Sequence, residues 1–232
     1  MKHLVFFLLI TLGFPAISQV DTAQVRVNRE PDKKPRLDML LVDLNWDRLV
    51  GWVGTGVEQK WHGRGIHVSL LFDQPIKADG TFSVAGGAGF TSHNYYTNAQ
   101  VEKVPGTETA AFIVKTEAER ERGKISLNYV DVPIELRFRT QEDKHGHRWK
   151  VAVGARGGYL INAHEKIIDG EGFKTKLYHY PHVAKFRYGP TFRFGYGSLM
   201  LTGYYSLSTF FQPGKGQSEM NALSLGITIS PF

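Results

Sequence analysis

The 232-residue chain has no cysteine. That removes a disulfide framework, a thiolate nucleophile, a cysteine-ligated metal and a lipidated cysteine in one step. Long hydrophobic runs are also missing. Beyond the N-terminus, no segment reaches the roughly 18 consecutive apolar residues of a membrane helix. No block of like charge stands out either. The formal charge of +6 is scattered along the chain, which argues against nucleic acid as a partner. No G-x-S-x-G elbow is present. The glycine-rich Gly86–Gly89 stretch has no helix after it and is not a phosphate loop. Mean hydropathy is slightly negative. That does not exclude a membrane barrel, whose strands alternate and average to polar.

What is present begins with an export signal. Lys2 and His3 form a short basic start, Leu4–Leu12 is apolar but for one threonine, and Gly13 and Pro15 break the run. Ala16 and Ser18 place small residues where a signal peptidase reads. We expect residues 1–18 to be a signal peptide cut after Ser18. The polar stretch 19–38, with Pro31, Lys33, Lys34 and Pro35, reads as a flexible periplasmic lead-in.

From residue 39 to 232 the pattern is period two, the signature of strands. Eight segments alternate: Met39–Trp46, Gly65–Ile76, Thr81–Tyr95, Lys124–Thr140, Arg148–Ala163, Ala184–Tyr196, Ser198–Phe211 and Asn221–Phe232. The fourth is clearest. Val130, Val132, Ile134, Leu136 and Phe138 share one face, and Asp131, Glu135, Arg137 and Arg139 share the other. In the fifth, Lys150, Arg156 and Asn162 oppose Trp149, Val151, Val153, Tyr159 and Ile161. Short connections (Lys77–Gly80, Gln141–His147, Gly197) alternate with longer ones (Asp47–Arg64, Tyr96–Gly123, His164–Val183, Gln212–Met220).

This predicts an all-β protein: an eight-stranded antiparallel transmembrane β-barrel with short periplasmic turns and longer extracellular loops. A soluble, lipocalin-like barrel alternates equally well, with its apolar face inward. Three features favour the membrane form. The polar face mixes small residues with charges of both signs. Trp and Tyr gather towards strand ends, as in an aromatic girdle. The barrel-like last segment ends on Phe232. The charged face then lines the lumen, where Asp43, Asp73, Asp131 and Glu135 meet Arg137, Arg139, Lys150, Arg156, Arg187 and Arg193. An eight-stranded interior holds little more than side chains. The set therefore reads as a structural ion-pair network in a closed lumen, in preference to a pore-lining ring. Ala85, Gly87 and Gly89 leave room for it.

Chemistry has few candidates. Ser92, His93, His164 and Glu165 lie near the outer rim and could form a Ser–His–Glu set. His179 and His182, and His145 and His147, are pairs without a third metal ligand. All read better as solvated rim or loop residues, so neither catalysis nor a cofactor is expected.

The segment Lys124-Ile-Ser-Leu-Asn-Tyr-Val-Asp-Val-Pro-Ile-Glu-Leu-Arg-Phe-Arg139 resembles a strand of PorT-like outer-membrane β-barrel proteins. Lys150–Gly154 with Gly158–Asn162, Lys185–Gly189, Gly203–Ser208, Leu225–Phe232 and Asp43–Trp46 are similar to other strands of that family. The resemblance spans about residues 40–232. It implies an outer-membrane location, contact with membrane lipid, and a structural or protein-interaction role. A secretion accessory of the type IX kind is the role of the family's namesake. Ser224, Gly226, Ile229 and Phe232 resemble the C-terminal signal of the barrel-assembly machinery, with Pro231 a departure from it. The alternatives are a rim-located lipid-modifying enzyme or a narrow solute channel. Partners are expected at Tyr96–Gly123 and His164–Val183, since binding residues concentrate on loops.

Overall fold

The computed structural model describes residues 37–51, 56–77, 79–116, 118–119, 122–178, 180–216 and 219–230. The signal peptide, the lead-in up to residue 36, His179 and Phe232 lie outside them.

Alternation becomes strand in every segment where it was read. Eight strands form the barrel: β1 (Leu37–Gly51), β2 (Arg64–Pro75), β3 (Phe82–Tyr96), β6 (Arg122–Arg139), β7 (Trp149–Ile168), β9 (Phe186–Tyr196), β10 (Leu199–Thr209) and β11 (Met220–Ile229). All neighbours are antiparallel. The ring runs β1-β2-β3-β6-β7-β9-β10-β11 and closes from β11 back to β1. Closure leaves no strand edge in the ring unpaired, which a bilayer demands.

The connections separate by length, as alternation of turns and loops predicted. Residues 76–81, 140–148 and 197–198 join strands at one end. Gly197 has φ +58°, which lets the two-residue turn between Tyr196 and Leu199 close without strain. In the 140–148 turn, Asp143 accepts from the Tyr196 hydroxyl and from the backbone N–H groups of His145 and His147. The Tyr196 hydroxyl, then those amides, hold its carboxyl below the usual carboxylate range.

Two long connections contain structure that showed no pattern in the sequence. The span read as Tyr96–Gly123 folds a hairpin of β4 (Ala99–Lys103) and β5 (Ala110–Val114). The span read as His164–Val183 instead continues β7 to Ile168 and turns back as β8 (Lys174–Leu177). β1 also begins two residues inside the segment read as lead-in. It runs on past Trp46, so Asp47, read as a loop residue, is a strand residue.

The faces sort cleanly along most of the wall. On β6, Val130, Val132, Ile134, Leu136 and Phe138 are 39–62% exposed. Asp131, Glu135 and Arg137 between them are buried. A soluble barrel would show the reverse, so the lipocalin-like alternative is discarded.

One bulge corrects the reading of β7. Asn128 pairs with Asn162, but Tyr129 pairs with Leu160, leaving Ile161 as an extra residue. A bulge of one residue reverses the facing of everything beyond it. Asn162 therefore does not join Lys150 and Arg156 on the inner face. It lies exposed beside Ile161, and Ala163 and Glu165 turn inward.

Candidate functional site: a filled lumen under a capped mouth

The lumen is built from cross-strand neighbours. Asp43 lies between His67 of β2 and Thr228 of β11 in register. It takes His67 Nδ1 at 2.8 Å and the Thr228 hydroxyl at 2.8 Å. Arg193 reaches across from β9 to the same carboxylate at 2.8 Å and also pairs with Glu135. Glu135 is flanked in register by Ala85 and Gly154, which leave space for that guanidinium. Arg137 Nε donates to Glu135 at 3.0 Å.

Towards the short-turn end, Asp73 receives Arg139 at 2.5 Å, Arg137 at 3.5 Å and the Ser83 hydroxyl at 2.7 Å. Towards the loop end, Arg187 holds Asp131 with Nη2 at 3.0 and 2.9 Å from its two oxygens. Gly158 sits between them, opposite Asp131 on one side and Arg187 on the other. A Cβ there would collide with the Asp131 carboxylate. The glycine is what lets a guanidinium cross one strand to its partner. Thr91 also donates to Asp131, and Arg187 packs 3.9 Å over the Tyr129 ring. Arg156 stacks 4.0 Å over Tyr204.

The structure thus brings Asp43, Asp73, Asp131, Glu135, Arg137, Arg139, Arg187 and Arg193 into ion pairs inside the barrel. Arg156 is inside but held by an aromatic face. Lys150, on the inner-facing parity of β7, is half-buried beside Glu135 and Arg137 at the short-turn end. Three further groups belong to the lumen: His67, Asp47, which the sequence places in a loop, and His93, which it places at the rim. His93 Nδ1 lies 2.7 Å from Asp47 Oδ2, Ser224 donates to Asp47 at 2.6 Å, and Arg187 reaches His93 Nε2. Continuing the alternation of β1 by one residue would have found Asp47.

A buried charge without a partner is prohibitively costly, whereas paired and hydrogen-bonded charges are tolerated. Apart from Glu165 nearer the loop end, five buried carboxylates (Asp43, Asp47, Asp73, Asp131, Glu135) face the guanidiniums of Arg137, Arg139, Arg156, Arg187 and Arg193 among the described residues. The interior is close to balanced. Two cavities open on it, each of only ≈ 20 Å³, about one water apiece.

Above the charges the interior turns apolar. On β6 the inner face changes from Asp131 to Tyr129, Leu127 and Ile125, while the outer face changes from Val130 to Asn128, Ser126 and Lys124. Both faces exchange polarity at residues 129–130, which places the edge of the lipid band there. Beyond it the strands stand in water and bury an ordinary core. Tyr95, Leu127, Phe210, Phe211 and Met220 pack with Val101 and Phe112 of the β4–β5 hairpin. The hairpin is tied down by Ala110 N–H to Lys215 O at 2.8 Å and by Glu58 N–H to Asn98 Oδ1 at 2.8 Å. Gly216 has no room for a Cβ, because the Phe211 ring lies against it.

The candidate rim triad does not assemble. Ser92 and His93 are successive strand residues and point to opposite faces. His93 is buried in the lumen and Ser92 is on the outer wall. His164 bonds Asn162 outside, and Glu165 is buried inside. Of the C-terminal residues, Gly226 lies against Leu44 and Asn45 of β1 at the closing seam, and Ile229 is 40% exposed on the outer wall.

No curated protein matches the chain. One similar solved structure is Ail, the attachment invasion locus protein of Yersinia pestis. It shares 11% identity, covering 83% of this chain and 97% of that one, with a TM-score of 0.34. The family model described as outer membrane protein beta-barrel domain matches residues 47–212. That span runs from the end of β1 through β10 and takes in most of the barrel wall and its charged lining. The chain belongs to the outer-membrane β-barrel domain family, and its place is the bacterial outer membrane.

Proposed function

We propose that this barrel neither conducts nor catalyses, and that it acts as an anchored interaction module presenting its capped extracellular end to a protein partner. The observation that carries this is the filled lumen: among the described residues, paired charges and a packed apolar mouth leave two water-sized gaps in the interior. The work then falls to the surface above the lipid band. There the β7–β8 turn displays Phe173, 66% exposed, and the β4–β5 hairpin displays Ile113 and Val114. Exposed aromatic and aliphatic groups on a rigid support suit a binding surface. The likeness of Lys124–Arg139 to PorT-like barrels favours protein secretion as the process served. The split of Ser92 from His93, and of His164 from Glu165, speaks against the rim-enzyme alternative.

Planar-bilayer recording on the purified protein tests the reading. The expected trace is silent. Steady, ion-selective conductance altered by Glu135→Ala would overturn it in favour of a narrow channel. A photo-crosslinker at Phe173 or Ile113, used in intact cells, should capture one defined protein. Capture of lipid alone would refute the partner.

A further inference from the structure

Three adjacent strands above the lipid band carry like charges directly opposite one another. Lys124 of β6 pairs in register with Lys166 of β7, and Lys166 pairs with Lys176 of β8. Inner neighbours of this row are buried: Ile125 at 0% and Glu165 at 1%. The three lysines therefore share the outer face, where His164, opposite Ser126, joins them. Lys174 and Arg122 flank the row across Ile168. No salt bridge to Lys124, Lys166 or Lys176 is found among the described residues. The buried Glu165 points away from them.

Like charges directly opposite on a sheet destabilise it. Three in a row, with no acid between them among the described residues, would be eased by an outside anion. Position indicates which. Lys124 lies six residues beyond Val130, the last exposed apolar residue of its face. At about 3.3 Å per residue and a tilt near 40°, that is roughly 15 Å higher. Headgroups occupy about 5–8 Å beyond the hydrocarbon, so the row stands within about one Debye length of them. Long lysine stems can lean down to that layer with their ammonium groups.

We propose that the outer face of β6, β7 and β8, centred on Lys124, Lys166 and Lys176, binds the phosphate headgroups of anionic membrane lipid. The face is separate from the protein-partner surface above and does not depend on it. The lipid would complete the charge balance of the extension and fix its height over the bilayer.

Because the chain has no cysteine, Phe173→Cys offers a single labelling site in the β7–β8 turn. Energy transfer from that label to headgroup-labelled lipid, in reconstituted membranes, reads local enrichment. We expect phosphatidylglycerol to be enriched several-fold over phosphatidylcholine. The enrichment should vanish in the Lys124→Gln/Lys166→Gln/Lys176→Gln variant, persist in the corresponding triple Arg variant, and weaken with salt. Lys144→Gln, in the 140–148 turn at the other end, should change nothing. In uncharged micelles the triple Gln variant should unfold at a higher urea concentration than the parent, because repulsion is removed. That confirms folding and tests the repulsion separately. Equal transfer from both lipids, or enrichment that survives the triple Gln change, would overturn the proposal. Binding of inorganic phosphate to the protein in uncharged micelles, together with equal transfer from both lipids, would overturn the lipid source and leave a free-phosphate site.

Discussion

At the residue scale the lumen depends on which positions carry no side chain. Asp131 sits between Gly89 and Gly158, and Arg187 reaches it over the second glycine. The pair cannot be broken from one side cheaply. Asp131→Asn would leave a guanidinium buried without its counter-charge, a loss of about 3–5 kcal/mol. The double variant Asp131→Asn/Arg187→Met should recover part of it, since a well-packed neutral pair avoids the desolvation cost. Equilibrium urea unfolding in micelles measures both. A single Asp131→Asn change costing nothing would mean that Arg187 is solvated, and the lumen not dry there. Gly158→Ala should behave like Asp131→Asn, by collision with the carboxylate. Asp131 and Arg187 themselves were legible from alternation alone. The glycine that joins this pair was not, because its importance lies in two cross-strand neighbours far away in sequence.

At the element scale β6 records the membrane edge in its own order of residues. Its outer face reads Lys124, Ser126, Asn128, then Val130 to Phe138, and its inner face reads the converse. One strand thus serves two solvents. Arginine should expose the difference. Ile134→Arg, in the middle of the exposed run Val130–Phe138, should cost about 2–4 kcal/mol, and Asn128→Arg, at the interface, about 0–1 kcal/mol. The two sites share a face six residues apart on one strand. Equal unfolding costs in micelles would remove the boundary from residues 129–130. The element scale is also where reading by period was weakest. The β4–β5 hairpin and β8 gave no usable alternation because their short strands are shaped by contacts with other loops. Ala110 is fixed by Lys215, and Asn98 by Glu58. The bulge at Ile161 defeated a strict period of two in β7, and so misplaced Asn162.

At the scale of the whole molecule, closure makes the wall a single cooperative object. Every barrel strand is bonded on both sides, with β1 held by β2 and β11. No strand can leave without opening the ring. Variants that retain only Trp46, at the β1–β11 seam, or only Trp149, on β7, should therefore report the same urea midpoint. Coincident probes are the mark of two-state unfolding. Separate midpoints would show that the seam opens independently of the rest. By itself, the sequence determined the eight barrel strands, the two-faced wall, and most of the residue types facing inward. Period-two patterning and turn chemistry are local properties that a linear reading can count. Only the tertiary structure decided which carboxylate meets which guanidinium, that His93 is a lumen residue and no rim base, and that a hairpin stoppers the mouth. It alone aligned Lys124, Lys166 and Lys176 in one row. These outcomes depend on register between strands up to 185 residues apart, as for Asp43 and Thr228, and on a one-residue bulge. Register comes from closing the ring as a whole, because each pairing must agree with all the others before the last strand can meet the first.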